Sequence, residues 1–249
     1  MTPGPDRPAA GGDGGLGPQA RDIVDVRLLD ALRLGGCPVC AVRARSERAT
    51  LDAIINERVL DIGFRAELER SQGFCRRHVA GLLATDRRET GGMLGSSMLL
   101  AAVIDRRTGD LEAAIGSRGR GLRARLRRAR ERPPCIACSQ GATAVETALA
   151  RLAERAADPG WADAMGAATL CLDDLLALWA TAGPDPAFEP IARRQLTRFA
   201  DLRRRLDGFA QHSSHDRYQL LTDDERSAAD EATLALGGDG ITSEAGPRR

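Results

Sequence analysis

The chain has no lysine: all 36 basic residues are arginine, set against 35 acidic ones. With a formal net charge of +1, global electrostatics select neither nucleic acid nor an anionic membrane as a partner. Aromatic residues are scarce, at five Phe, two Trp and one Tyr. The core must therefore be built from Leu, Ala, Val and Ile, and the shortage of β-branched and aromatic residues favours packed helices over a sheet. Long apolar runs are missing too. Residues 1–20 are rich in Gly, Pro and Ala and contain no apolar run, so they hold no secretory signal and are expected to form a disordered tail. The longest nearly apolar segment, from Met93 to Ile104, is broken by Ser96 and Ser97 and is too short to span a bilayer. These absences lead to the expectation of a soluble cytoplasmic protein with no membrane contact. In that compartment thiols stay reduced, and paired cysteines read as metal ligands or redox groups rather than disulfides.

The six cysteines fall into one layout used twice. Cys37-Pro38-Val39-Cys40 is followed, 35 residues after Cys40, by Cys75-Arg76-Arg77-His78. Cys135-Ile136-Ala137-Cys138 is followed, 33 residues after Cys138, by Cys171-Leu172-Asp173-Asp174. A CxxC pair with a later CxxH is the ligand set of a tetrahedral zinc site. The linear order predicts a first site from Cys37, Cys40, Cys75 and His78. Three thiolates and an imidazole close the tetrahedron, which points to structural zinc; an iron–sulfur centre stays open as the alternative. It likewise predicts a second site from Cys135, Cys138, Cys171 and Asp174. Asp is rare beside three thiolates, so this reading stays divided between a second Zn2+ and a decayed site, with His212 or His215 as alternative fourth ligands. A thioredoxin-like role needs a strand before the CxxC, and none is patterned there.

Hydrophobic periodicity gives an all-α fold of two duplicated helical halves, each built around a CxxC … CxxH/D knuckle. Helices are expected over about 21–34, from Cys37 through Leu60, from Cys75 through Leu83 and over 93–115. In the second half they are expected from Cys135 to about Ala157, from Cys171 to Trp179, over 187–209 and over 223–236. The face of the helix over 93–115 is expected to include Leu94, Met98, Leu99, Val103 and Ile104. Asp61-Ile62-Gly63 reads as a break and Asp158-Pro159-Gly160 as a turn. The expected division is a 1–20 tail, an N-terminal zinc-binding half over 21–115, an Arg-rich linker over 116–134, a C-terminal half over 135–238 and a tail over 239–249. The linker holds eight arginines in fifteen residues: Arg118, Arg120, Arg123, Arg125, Arg127, Arg128, Arg130 and Arg132. They form a candidate phosphate-backbone contact, without the interleaved aromatics that stack on bases. A solvated basic linker is the simpler reading of the same run.

Cys37-Pro38-Val39-Cys40 with Gly73-Phe74-Cys75-Arg76-Arg77-His78 resembles a bacterial domain-of-unknown-function family marked by Cys-Pro-x-Cys and Gly-Phe-Cys-x-x-His. The resemblance extends over about 21–238. It implies a second CxxC followed by Leu-Cys-Leu-Pro-His, where this chain has Leu170-Cys171-Leu172-Asp173-Asp174, so Asp174 stands in place of that histidine. The segment from Asp207 to Leu236 looks like the family's closing stretch.

No nucleophile–base pair, Gly-rich phosphate loop or His-Glu-x-x-His motif is present, which leans against an enzyme. The expected role is a zinc-stabilised helical scaffold or interaction module with an unidentified protein partner. The alternative is a zinc-thiol redox sensor or regulator that touches nucleic acid through the linker.

Overall fold

The computed structural model describes residues 17–116, 133–214 and 216–237, together with Arg123 and Arg127. Among them lie ten α-helices and no strand. The first is α1 (Ile23–Arg33), capped by the Asp22 carboxylate, which accepts from the backbone N–H groups of Val24 and Asp25. After the Gly35 turn, α2 (Pro38–Ala53) opens with Cys37 at its N-cap and proline in its first turn. A π-helical turn (Ile54–Arg58) continues it. Next come α3 (Ile62–Arg70), α4 (Arg76–Thr90) and α5 (Leu94–Ile115). The second half holds α6 (Ile136–Arg155), α7 (Pro159–Ala167), α8 (Leu172–Ala182), α9 (Glu189–His212) and α10 (Asp223–Ala235).

The all-α class is as expected, and two expected interruptions turn out to be helix starts. Asp61 caps α3 by accepting from Phe64 N–H, and Asp158 caps α7 by accepting from Gly160 N–H. In each case the carboxylate satisfies an orphan amide, so a residue typical of turns opens a helix instead. The outward side of α5 also differs from its expected face: Leu99 is fully buried, whereas Leu94 and Ile104 are exposed.

The central pairing is α2 against α6. Cys37 and Val39, at the start of α2, share one core with Ala148, Leu149, Leu152 and Ala156 from the later turns of α6. Further along α2, the Ser46 hydroxyl donates to the Gln140 carbonyl near the start of α6. The two CxxC helices therefore run antiparallel, with their N-termini at opposite ends of the pair. On this pair, α1 packs against both helices, α4 packs on α2 and α8 on α6.

The larger core gathers α1, α2 and α6–α9 around Trp161, Met165, Leu170, Leu178 and Phe188. A second core joins Leu51, Ile54, Phe64, Leu68, Leu82 and Leu99 to Ile136 and Ala137. A buried ion pair ties α1 to α6: Arg155 donates to Asp25 at 2.5 Å, and Arg151 donates to its other oxygen at 2.8 Å. Burial alone would raise the Asp25 carboxyl, but the Arg21 backbone N–H and the two guanidiniums outweigh it and hold the pKa below the usual carboxylate value.

Candidate metal centres

Four helices begin alike. Cys37, Cys75, Cys135 and Cys171 are the N-cap residues of α2, α4, α6 and α8, and none of these side chains caps the backbone. The partner three residues on (Cys40, His78, Cys138 or Asp174) then projects from the same face of the first turn. Amide N–H groups and the positive end of the helix dipole face each pair, which favours thiolate over thiol.

The eight side chains meet as two quartets, with the ligand atoms of each within 4.8 Å of one another. One quartet is Cys75, His78, Cys135 and Cys138; the other is Cys37, Cys40, Cys171 and Asp174. The linear order predicted eight ligands in two groups of four, but the membership is exchanged. Cys37 and Cys40 do not join Cys75 and His78, and Cys135 and Cys138 do not join Cys171 and Asp174. The cause is helix length and direction. Glu47 of α2 contacts His78, and Glu47 lies ten residues beyond Cys37, about 15 Å along the axis at 1.5 Å per residue. The start of α4 is thus carried away from the start of α2 and meets the start of the antiparallel α6.

In the first quartet, His78 Nδ1 lies 3.2 Å from the Sγ atoms of Cys75 and Cys135 and 3.3 Å from that of Cys138. Cys75 and Cys138 are 3.8 Å apart. In the second, Asp174 Oδ2 lies 3.1 Å from each of the Cys37, Cys40 and Cys171 sulfurs, and Cys40 and Cys171 are 3.8 Å apart. A disulfide holds its sulfurs at about 2.05 Å. Tetrahedral zinc with Zn–S bonds of about 2.3 Å separates them by roughly 3.8 Å. The observed spacing matches the second geometry, and all six cysteines are free.

Protonation points the same way. Hydrogen bonds from Cys171 and Cys40 pull Cys37 down to about 2, while Cys171, donating to Cys37, is pushed up to about 12. Cys40 is raised through the same sulfur contacts, and burial and the Cys37 charge raise Asp174. In the histidine quartet, contact with the Cys135 sulfur lifts His78 to about 9. Burial opposes ionisation of Cys135, but the His78 hydrogen bond and the neighbouring cysteines bring it down to about 6. Burial raises Cys138 to about 12. Protons are thus shared among acids too crowded to ionise together, and a dication resolves that crowding by displacing them.

Residues outside the motifs complete the surroundings. The buried Glu47 carboxylate lies 3.3 Å from His78 Nε2, on the ring edge opposite the sulfurs, and is also ion-paired with Arg77. Metal-bound histidines are held by a carboxylate in this way. Nothing in the sequence marks Glu47, which is one acidic residue among many on α2. Beside the other quartet, buried Gln195 donates to the carbonyls of Met165 and Ala168 and accepts from Leu170 N–H, fixing the turn that delivers Cys171.

His212 does not reach either quartet. Its Nδ1 lies 3.1 Å from Glu225, inside the capping box that Thr222 and Glu225 form at the start of α10. His215 lies outside the described residues, as do Arg118, Arg120, Arg125, Arg128, Arg130 and Arg132; Arg123 and Arg127 sit at exposed helical positions.

No curated protein and no solved structure matches the chain. One family model does, over residues 20–147. That span contains Cys37, Cys40 and the complete Cys75, His78, Cys135 and Cys138 quartet, and stops short of Cys171 and Asp174. The chain belongs to DUF6062, a family of unknown function.

Proposed function

We propose that the protein is a helical scaffold stapled by two zinc ions, each ligated from both halves of the sequence, and that it serves a protein partner in the cytoplasm. The observation that carries this reading is the pair of sulfur-rich quartets with tetrahedral spacing. Three thiolates with one further ligand suit zinc and fill its coordination shell, as structural sites do. Two clefts, of about 480 and 1070 Å³, are lined by none of the eight residues. No helix among the described residues is long and apolar enough to cross a membrane, and six free cysteines suit a reducing compartment.

Structural zinc contributes roughly 10–16 kcal/mol to the folding of small zinc peptides, as much as the roughly 5–15 kcal/mol net stability of a typical domain. Metal analysis of purified protein is expected to give two zinc per chain. Exhaustive chelation, followed by circular dichroism, is expected to remove most of the helical signal. Protein that stays fully helical with no transition metal would refute the scaffold reading.

A further inference from the structure

The two quartets differ in their fourth ligand and in what backs it. In the first, the His78 ring is held between three sulfurs and the Glu47 carboxylate, and Gly141 supplies the room: a Cβ there would lie 2.8 Å from Glu47 Cγ and Oε1. An ion in this site faces three thiolate charges, and the Glu47 charge is offset by Arg77. In the second, three thiolates and the Asp174 carboxylate carry four negative charges, and a dication leaves two of them in a largely buried place. The described contacts of these four side chains include no arginine or histidine to neutralise the excess. A carboxylate is also a harder ligand than an imidazole among thiolates.

From this asymmetry we infer that the sites retain metal unequally. The Glu47-backed histidine site holds its ion tightly and releases it slowly, and the Asp174 site is an exchangeable transition-metal site. Glu47 is the positioning residue that makes the difference: it fixes Nε2 as the protonated nitrogen and leaves Nδ1 to the metal. The inference rests on the zinc reading above, and its test separates the two.

The test starts from the full chain loaded with zinc and mixed with excess chelator, with release followed by a metallochromic dye. Wild type without bound zinc would defeat the zinc reading itself. Two-phase release, one ion fast and one slow, is expected; a single phase with both ions equally held would overturn unequal retention. Asp174→His is expected to slow the fast phase at least about tenfold, and Glu47→Gln to speed the slow phase by about 10–100-fold while leaving the fast one unchanged. The reverse assignment, with Glu47→Gln acting on the fast phase, would overturn the inference. Cobalt substitution adds a readout that a merely structural Glu47 would not move. Glu47→Gln is expected to shift the ligand-field bands of the slow site; lowered thermal stability with unshifted bands would remove Glu47 from the positioning role. Asp174→His carries the test independently should Glu47→Gln fail to fold.

Discussion

Asp25 is wholly buried, and every partner of its carboxylate is a donor: Arg155 and Arg151 from α6 and the Arg21 backbone N–H. Removing one partner from such a group strands a charge away from water, which costs about 3–5 kcal/mol. Arg155→Met is expected to lower unfolding stability by about that amount in urea titrations, because Arg155 is itself buried and also sits 5.9 Å from the Trp161 ring. The pH dependence follows from the depressed carboxyl. A carboxylate whose folded pKa lies below its unfolded value of about 3.9 contributes stability that is complete above that value and lost as pH falls through the folded pKa. The Asp25 contribution is therefore expected to hold at pH 5 and to disappear in the acid limb below about pH 4. In Asp25→Asn that part of the acid limb is absent.

Among the elements, the α2–α6 pair is held close by a glycine. At Gly141 a side chain would strike Glu47, the residue that faces His78. Gly141→Ala is expected to cost about 1–3 kcal/mol by overpacking, against the slight gain a helix normally makes when alanine replaces glycine. Thermal melts check the sign, and metal analysis of the same variant is expected to show weaker retention at the histidine site. Most helices were legible because their signals are local. Pro38 in the first turn of α2 and the Thr222–Glu225 capping box need no tertiary information, whereas α4 runs past its expected end at Leu83 to Thr90, where the left-handed Gly91 stops it. The misread stretches, Asp61-Ile62-Gly63 and Asp158-Pro159-Gly160, carry residues that serve turns and N-caps equally well. The outward turn of Leu94 and Ile104 on α5 is set by which neighbours α3 and α4 offer, and periodicity alone does not choose between adjacent apolar stripes.

Across the whole molecule, residue spacing named the eight side chains that cluster but not which of them meet. Ligand identity is a local property of CxxC, CxxH and CxxD; partnership depends on the antiparallel register of α2 on α6, which the linear order does not encode. Each quartet draws one pair from 21–115 and one from 135–238, so both centres fasten one part of the chain to the other. Oxidation at the moment of metal loss, before the helices come apart, reads this connectivity directly. Diamide takes two hydrogens from two thiols, is reduced to its hydrazine and leaves a disulfide between the sulfurs that lie close. The close pairs between helices are Cys40 with Cys171 and Cys75 with Cys138, each 3.8 Å apart. Because the chain has arginine but no lysine, trypsin cuts only at arginine, and Cys75, Cys171 and the two CxxC pairs each fall in a separate peptide. Brief oxidation of folded protein, with chelator and diamide added together, is expected to link the peptide 34–43 to 156–193, and 71–76 to 131–151. Recovery instead of 34–43 joined to 71–76 would restore the linear pairing and contradict the exchanged one. Diamide added to zinc-loaded protein without chelator is expected to leave 71–76 and 131–151 unlinked, since a thiolate bound to metal is withheld from disulfide formation until the ion leaves.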